Sequence, residues 1–386
     1  MLTVVDENMP FAAEAFSTIG RVRSLPGRAI GPADLREADI LAVRSVTRVN
    51  EDLLAGSRVR FVGTATIGTD HVDTGYLERA GIGFSAAPGC NAVSVAEYVV
   101  AALFVLAQRL GFCLKDRSLG IIGVGNVGSR VLARAKALGM QVIANDPPLA
   151  DRTGDPLYRP LDEALAADII SLHVPLTSRG PYPTYHMVNR ELLERVKPGT
   201  ILINTSRGPV VDSGALKSAL DVGQIAAVVL DVWENEPGID LELMQKTAIA
   251  TPHIAGYSFD GKINGTAMIY HAACEYFHLD PGWNPSDLLP SPADPFIRLS
   301  RQDRDQESLL AEAVSTAYDI LDDDRRLRLI ANQPEDARGP YFDRLRREYP
   351  IRREFTAFTV EAGECPSTLS RVLAELGFKV DEMRKT

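Results

Sequence analysis

A glycine-rich turn between a strand and a helix constrains the fold of this 386-residue chain more than any other sequence feature. Gly123, Gly125 and Gly128 form a GxGxxG pattern that directly follows the apolar run LGIIGV. The helical pattern that they open ends at Gly139, before a second apolar run, QVIAN. In this context the glycines permit a tight turn, close approach of a pyrophosphate to the backbone, and close packing of helix on strand. The unit predicts a dinucleotide-binding Rossmann domain.

Apolar runs rich in valine and isoleucine alternate with helical patterns from Leu119 to about Ala250. The candidate strands read LGIIGV, QVIAN, DIISL, TILIN, AAVVL and AIA. This alternation is typical of repeated βαβ units around a parallel sheet. Roughly the first hundred residues repeat it more weakly in LTVV, DILAV, RFVGTA and GIGF, with a helical piece from Gly75 to Ala80, and this predicts a separate α/β domain.

Five prolines, at positions 281, 285, 290, 292 and 295, interrupt the chain after these regions. Because proline prevents regular helix and central strand, we interpret this stretch as a linker. Beyond it the pattern predicts a helical opening from Asp303 to Ile330, a strand from Glu354 to Val360 and a helix from Ser367 to Leu376. A third domain is therefore expected at the C-terminal end.

The end of the second strand of the Rossmann unit carries an acidic residue. Asp146 lies 18 positions after Gly128, where a carboxylate accepts hydrogen bonds from the two ribose hydroxyls of a dinucleotide. The same carboxylate repels a 2′-phosphate. Arg152 is the one nearby cation that weakens this argument. The sequence favours NAD over NADP.

Three further strands of the same region end in polar groups that together form a catalytic set. TILINTSRG contains Arg207, VVLDVWENEP contains Asp231 and Glu236, and IATPHIAGY contains His253. Because the carboxyl ends of parallel strands converge on the ligand crevice, we expect these side chains to meet. Arg207 can grip a carboxylate at two points, His253 can exchange the proton of a C2 hydroxyl, and Glu236 can stabilise the imidazolium. Singly, each fits an ordinary turn or loop residue equally well.

Composition excludes several other classes of protein. The net charge of −10 repels a phosphate backbone, so nucleic acid is not an expected partner. The longest apolar run, from Tyr98 to Ala107, is about half the length that crosses a bilayer, and no membrane partner is expected. Four well-separated cysteines, at positions 90, 113, 274 and 365, suggest neither a disulfide framework nor a zinc knuckle. A cytoplasmic location is expected.

Several motifs, in a fixed order, resemble those of the D-isomer-specific 2-hydroxyacid dehydrogenases across at least residues 40 to 275. They are ATIGTDHVD, the GxGxxG unit, INTSRGPVVD, LDVWENEP and TPHIAG. VRSVTRVN, PGCNAVSVAEYV, DPPLADR, GPYPTYHMV, HIAGYS and YFDRLRREYPIRREF are closer to the branch of this family that oxidises 4-phosphoerythronate in pyridoxal phosphate biosynthesis. The resemblance implies an NAD-dependent oxidoreductase acting on a CH–OH group.

The resemblance also implies roles for individual residues. Arg207, Glu236 and His253 match the family's catalytic Arg, Glu and His, with the histidine as acid and base. Substrate contacts are implied at Ser45, Thr66 and Tyr257. Cofactor contacts are implied at these positions: Gly123, Gly125, Asn126, Val127, Gly128, Asp146, Ser206, Asp231 and Gly256. Ser206 stands where a cysteine is often found in the family.

The implied fold is an α/β protein in which a Rossmann-type doubly wound parallel sheet is inserted in a second α/β substrate domain, with a C-terminal α+β dimerisation domain. The expected bounds are 1–96 with 257–280 for the substrate domain, 97–256 for the NAD-binding domain, and 281–386 for the linker and third domain. The resemblance implies a homodimer formed through the third domain.

Two alternative functions stay open at this point. The first is another D-2-hydroxyacid dehydrogenase, such as phosphoglycerate dehydrogenase, in which a C-terminal module binds an amino-acid effector. The second is an NAD-sensing transcriptional corepressor, against which the acidic net charge argues. Feedback inhibition by an amino acid would indicate the first alternative. Demonstrated turnover would distinguish an enzyme from the NAD-sensing corepressor.

Two further observations concern ligands other than NAD. His271, Cys274 and His278 share a helix face, but core packing explains them better than a metal does, and no metal is expected. A 4-phosphate on the substrate demands cations. The candidates lie after an early strand and in the tail: Arg44, Arg48, Arg344, Arg346, Arg347, Arg352 and Arg353.

Overall fold

The computed structural model describes residues 1–285, 288–299, 304–363 and 366–381. The chain divides into two compact units, Met1–Asn91 with Tyr257–Pro290, and Ala92–Gly256 with Ser291–Thr386. The second unit joins the expected NAD-binding domain to most of the expected third domain. The assignment of substrate-binding and dimerisation roles to these regions stays a prediction.

The elements follow one another in a regular α/β order. The first region contains β1 (Leu2–Asp6), α1 (Ala12–Ser17), β2 (Arg21–Leu25), α2 (Pro32–Leu35), β3 (Ile40–Val43), α3 (Glu51–Leu54), β4 (Phe61–Thr64), α4 (Thr74–Ala80) and β5 (Gly83–Ala86). The middle region contains α5 (Ala92–Leu110), β6 (Ser118–Ile122), α6 (Asn126–Ala137), β7 (Gln141–Asn145), α7 (Pro147–Thr153), α8 (Leu161–Leu165), β8 (Ile169–Leu172), α9 (Arg190–Arg195), β9 (Thr200–Asn204), α10 (Ser213–Asp221), β10 (Ile225–Leu230), α11 (Leu241–Lys246), β11 (Ile249–Ala250) and α12 (Phe259–Tyr276). The last region contains β12 (Phe296–Arg298), α13 (Gln306–Ala317), α14 (Ile320–Arg328), α15 (Glu335–Arg347), β13 (Thr359–Glu361), α16 (Ser367–Leu376) and β14 (Lys379–Asp381).

The first unit is built on a five-stranded sheet of order β2-β1-β3-β4-β5, with all pairs parallel. Its central strands β3 and β4 are fully buried, which explains their unbroken apolar sequence. The returning helix α12 packs Ile269 and Tyr270 into the same core. Strand order reverses between β1 and β3, and in such sheets ligands bind beyond the carboxyl ends of the strands at this point.

The second unit contains a six-stranded parallel sheet of order β11-β10-β9-β8-β6-β7, which confirms the predicted Rossmann architecture. The six strands lie where the apolar runs predicted them. Strand order reverses between β6 and β8, next to the glycine-rich turn. The carboxyl ends of β6, β9, β10 and β11 share one edge of this sheet, because all the strands are parallel.

Helix α5 is long and apolar enough to cross a membrane by length and composition alone. Its apolar window is 72% buried inside the protein, as in the core helix of a globular fold. The helix packs against α6 and against α13 and α14 of the C-terminal region.

The C-terminal region forms a three-stranded sheet of order β12-β13-β14 with helices around it. Its strands are parallel, so the connections between them run through helices. Leu327, Ile330, Tyr341 and Phe342 are buried in the same apolar cluster as Trp233 of the Rossmann sheet. The C-terminal helices therefore share a core with the nucleotide-binding domain.

Several boundaries differ from the sequence-based expectations. The predicted strand from Glu354 to Val360 is wrong in its first part, since Phe355–Ala357 is a 3-10 turn and only Thr359–Glu361 is strand. The predicted helix to Ile330 is broken at Tyr318, whose backbone is extended, with φ of −149°. Asp303, where that helix was expected to begin, and Cys365 lie outside the described residues.

Candidate active site

Residues of the predicted catalytic and cofactor-binding sets follow three neighbouring strands of the six-stranded sheet. Arg207 comes after β9, Asp231 directly after β10, and His253 after β11. Leu230 is in register with Asn204 on one side and Ala250 on the other, so the strands end together. The structure therefore places the three residues at the same carboxyl edge as the glycine-rich turn.

His253 and Glu236 form a direct pair. The Nδ1 atom of His253 lies 2.8 Å from Oε2 of Glu236, while Oε1 accepts a hydrogen bond of 2.9 Å from the backbone N–H of Trp233. Burial acts to raise the pKa of Glu236, but the charge and hydrogen bond of His253, the Trp233 N–H and the charge of Arg346 lower it below its ordinary value. An ionised Glu236 accepts a hydrogen bond from the Nδ1–H group of His253, which leaves Nε2 as the ring nitrogen available for proton exchange.

The loop that carries His253 holds this residue in the left-handed region, with φ of 58°. This conformation costs a non-glycine residue about 1 to 3 kcal/mol and persists only where the surroundings enforce it. The backbone N–H of His253 donates to the carbonyl of Asp231 at 2.7 Å. The Asp231 carboxylate accepts from the N–H groups of Ile254 and Ala255, at 2.8 and 2.9 Å, and from the Thr251 hydroxyl, at 2.7 Å. The Asp231 carboxylate thus stabilises the loop through these hydrogen bonds. A contact between Asp231 and the cofactor stays a prediction.

Gly208, the residue after Arg207, packs directly against the backbone of Trp233 and Glu234. A Cβ atom on Gly208 would lie 1.9 Å from the carbonyl oxygen of Trp233, so no other residue fits without a shift of the backbone. The Arg207 Nη1 group donates to the carbonyl of Ser206 at 2.8 Å. The Ser206 hydroxyl itself donates to Asn204 Oδ1 at 2.7 Å, so it serves the turn.

Each glycine of the glycine-rich turn has a different local environment. Gly123 has a φ of +88°, and a Cβ atom on Gly128 would lie 2.0 Å from the Gly123 carbonyl oxygen. By contrast, a Cβ on Gly125 meets no atom of the described residues within 4 Å, which leaves open space beside the turn. Helix α6 begins there with Asn126 and Val127, and its N-cap residue, Gly125, has no side chain that could cap the first N–H groups. Its first N–H groups are available to a pyrophosphate.

Asp146 completes this candidate nucleotide site. Its Oδ2 atom accepts from the Val124 N–H at 2.8 Å, and its Oδ1 atom caps α7 by accepting from the Leu149 N–H at 3.0 Å. Each carboxylate oxygen has a second lone pair for a ribose hydroxyl. Arg152 is exposed on α7. The residues present fit a dinucleotide without a 2′-phosphate.

His173 lies at the same sheet edge and was missed by the sequence analysis. It follows β8, between the hydroxyls of Ser171, 2.9 Å from Nε2, and Thr205, 3.3 Å from Nδ1. Burial lowers its pKa to about 3, so it is neutral at physiological pH. Its position after a buried strand, in the run HVPL, was the available sequence signal.

The predicted substrate contacts all belong to the first unit. Ser45 is exposed directly after β3, and the Thr66 hydroxyl donates to the Gly68 carbonyl at 2.9 Å. The Tyr257 ring lies near two cations, with the Arg44 guanidinium carbon 5.7 Å and Lys262 Nζ 4.9 Å from its centre.

The arginines of the C-terminal region differ in their surroundings. Arg346 is close enough to Glu236 to affect its ionisation. Arg352 is buried, with 7% of its surface exposed, and its Nη2 group donates to the carbonyl of Ala255, so a role in binding a substrate phosphate stays a prediction. Arg344 stacks on Tyr341, and Arg347 pairs with Glu348.

Comparisons with protein families match two parts of the chain. Residues 96–255 match the model described as D-isomer specific 2-hydroxyacid dehydrogenase, NAD binding domain. Residues 288–377 match a domain of unknown function. The C-terminal region is thus a recurring module without an assigned role.

Curated relatives match almost the whole chain. An erythronate-4-phosphate dehydrogenase of Cronobacter sakazakii is 48% identical, and one of Escherichia coli is 47% identical, each over 98% of both chains. Among solved structures, a D-lactate dehydrogenase from Aquifex aeolicus complexed with NAD and lactic acid matches with a TM-score of 0.60 and 28% identity, over 72% of this chain and 96% of the other. An NAD+-bound 3-phosphoglycerate dehydrogenase of Entamoeba histolytica matches with a TM-score of 0.62 and 25% identity, over 72% and 95%.

Proposed function

The chain belongs to the D-isomer-specific 2-hydroxyacid dehydrogenases, and from this premise we propose that it oxidises 4-phospho-D-erythronate to 3-hydroxy-2-oxo-4-phosphooxybutanoate in pyridoxal 5′-phosphate biosynthesis. It is an NAD-dependent oxidoreductase that acts on a CH–OH group. The observation that carries the proposal is the His253–Glu236 pair at the same sheet edge as the glycine-rich turn.

His253 is the proton acceptor of the proposed reaction. Its Nε2 atom takes the C2 hydroxyl proton, and Glu236 stabilises the resulting imidazolium through Nδ1. Arg207 binds the C1 carboxylate at two points and polarises the C2 oxygen. NAD, when bound along the glycine-rich turn and Asp146, supplies the hydride acceptor. The C2 hydrogen leaves as hydride, so the C2–O bond becomes a carbonyl.

The phosphate of the proposed substrate requires cations, and Arg44 and Lys262 are the best placed in the first unit. Arg44 follows β3, next to the point where strand order reverses, and its Nη1 atom reaches the carbonyl of Asn8 beyond β1 at 3.4 Å. Lys262 approaches the same Tyr257 ring from α12. Both groups are cationic, so each attracts a phosphate dianion bound beside the Tyr257 ring. Ser45, Thr66 and Tyr257 are proposed to contact the substrate beside this pair.

The proposal is tested by NADH formation with four acids: 4-phosphoerythronate, erythronate, 3-phosphoglycerate and glycerate. Charge-assisted hydrogen bonds contribute about 1.5 to 3 kcal/mol each, so kcat/KM for 4-phosphoerythronate should exceed that for erythronate at least about tenfold. The Arg44→Met variant should lose most of this ratio. Equal turnover of the two four-carbon acids would reject the phosphate subsite, and a preference for 3-phosphoglycerate would favour phosphoglycerate dehydrogenase.

We also propose that the enzyme is a cytoplasmic homodimer assembled through the C-terminal region. The remaining cofactor contacts are proposed at Asn126, Val127, Ser206 and Gly256, beside the site formed by the glycine-rich turn.

A further inference from the structure

The C-terminal region contacts the loop that carries His253. We define the His253 loop as residues 251–256. The Nη2 group of Arg352 donates to the carbonyl of Ala255 at 2.6 Å, two residues after His253. The same group contacts the hydroxyl and carbonyl of Ser94 on α5, and the Ser94 hydroxyl donates to the Ala255 carbonyl at 2.8 Å. Arg352 and Ser94 thus converge on one carbonyl of the loop.

The surroundings of Arg352 orient its guanidinium toward this carbonyl. The guanidinium carbon lies 4.3 Å from the centre of the Tyr318 ring. The hydroxyls of Tyr318 and Tyr349 donate to Asp323 Oδ2, at 2.9 and 2.7 Å, which places a carboxylate near the buried cation. The Nε and Nη1 atoms of Arg352 are buried without a hydrogen-bond partner among the described residues. The donor group that does bind is the one directed at the His253 loop.

The segment of the loop that follows His253 is held by two different parts of the second unit. Asp231 of the Rossmann sheet binds the N–H groups of Ile254 and Ala255. Arg352 of the C-terminal region binds the carbonyl side of Ala255. His253 lies between these ties and the end of β11, in the left-handed conformation that needs enforcement.

We infer that Arg352 is a positioning residue for His253, and that the C-terminal region, matched by a domain of unknown function, contributes to catalysis by fixing the His253 loop. The inference rests on the proposed role of His253 as proton acceptor. A role in assembly alone does not explain a buried cation, because burying a charge is unfavourable unless its partners offset the loss of water. The partners of Arg352 Nη2 are Ser94 and the loop itself.

The test compares the full-length wild-type enzyme with Arg352→Met, Arg352→Lys and Arg328→Met. Arg328 is the matched control, because it also belongs to the C-terminal region and also binds backbone carbonyls of the Rossmann domain, those of Met244 and Thr247. Neither carbonyl belongs to the His253 loop. Each protein is assayed for kcat and KM with whichever 2-hydroxy acid the wild type oxidises best, for NADH affinity by fluorescence titration, and for its melting temperature.

Arg352→Met should lower kcat by about 10- to 100-fold, since a small misplacement of a reacting group has an effect of this size. Its NADH affinity should stay within about twofold, because the glycine-rich turn is intact. Lysine retains a cationic group that can donate to the Ala255 carbonyl, and it should restore part of kcat. Arg328→Met should lower the melting temperature and leave kcat within about twofold of the wild type.

A folded Arg352→Met enzyme with wild-type kcat would overturn the inference, as would an equal loss of kcat in Arg328→Met. If Arg352→Met does not fold, the Arg352→Lys and Ser94→Ala variants test the inference instead. Wild-type kcat in both variants would overturn the inference too. His253→Ala is measured in parallel. An inactive His253→Ala beside a fully active Arg352→Met sinks this inference alone, whereas an active His253→Ala sinks the proposed mechanism.

Discussion

Arg207 contributes a shape as well as a charge to the candidate site. Its guanidinium is planar and matches a carboxylate with two parallel N–H groups, while lysine offers a single point charge. Arg207→Lys should therefore lower kcat/KM by at least about tenfold, as expected for one lost charge-assisted hydrogen bond. Steady-state kinetics check this, with the exposed Arg190→Lys on α9 as control. Wild-type kcat/KM in Arg207→Lys would exclude the two-point contact.

Asp146 combines a structural and a selective role. Its side chain caps α7 and binds the Val124 N–H, and its charge repels a 2′-phosphate. Serine also caps helices well, so Asp146→Ser keeps the cap while it removes the charge. The ratio of kcat/KM for NAD to that for NADP should fall in this variant. An unchanged ratio would show that Asp146 is not the ribose ligand.

His173 links the stability of the site to pH. Its pKa of about 3 in the folded protein is below its ordinary value of 6.5, because burial disfavours the charged form. The unfolded chain therefore binds a proton that the folded chain does not, between these two values. The free energy of unfolding is therefore unaffected by protonation of His173 above pH 6.5, and it decreases as the pH falls from 6.5 toward 3. In His173→Asn, the free energy of unfolding by urea should decline less between neutral and acidic pH, and an identical decline would contradict this assignment.

The turn between β6 and α6 offers a test at the level of one element, because two of its glycines differ in their surroundings. A Cβ on Gly128 would collide with the Gly123 carbonyl oxygen at 2.0 Å, whereas a Cβ on Gly125 meets nothing within 4 Å in the described part of the chain. Gly128→Ala should lower the free energy of unfolding by about 1 to 3 kcal/mol, the usual effect of overpacking. Gly125→Ala should stay within about 1 kcal/mol of the wild type, the scale of a changed N-cap, yet bind NADH more weakly.

Chemical unfolding and NADH fluorescence titration of the two variants check this pair. NADH affinity unchanged in Gly125→Ala would mean that the pyrophosphate does not approach this position.

Elements marked by a clear apolar pattern were predicted well from the sequence. Elements whose formation depends on pairing or packing with distant segments were not. β7 and β9 have the predicted bounds, since they are short apolar runs between turns. The edge strand β2 was missed because Arg21, Arg23 and Ser24 leave it only two half-buried apolar residues, Val22 and Leu25, and pairing with β1 makes it a strand. α15 was missed because it contains Pro340 and its charged residues hide the buried Tyr341 and Phe342.

At the scale of the whole molecule, the sequence identified which residues meet at the sheet edge but not what holds them. Motif order predicted Arg207, Glu236 and His253, yet no spacing rule predicts that Arg352, 99 positions after His253, binds the carbonyl of Ala255. The proline-rich linker suggested an independent third domain, and the linker itself contains no helix or strand in its described residues, 280–285 and 288–295. The shared core of the C-terminal helices and the Rossmann sheet depends on packing between distant segments, which periodicity does not reveal.

The proposed mechanism requires that His253 is the proton acceptor of an NAD-dependent dehydrogenase. The most direct test compares kcat and NADH affinity between the wild type and the His253→Ala variant. Loss of a general base lowers the rate by about 10² to 10⁴-fold. The proposed nucleotide site lies on the β6–α6 turn and Asp146, so NADH affinity should change by less than about twofold while kcat falls by that factor. Near-normal kcat with 4-phosphoerythronate in the His253→Ala variant would contradict the mechanism.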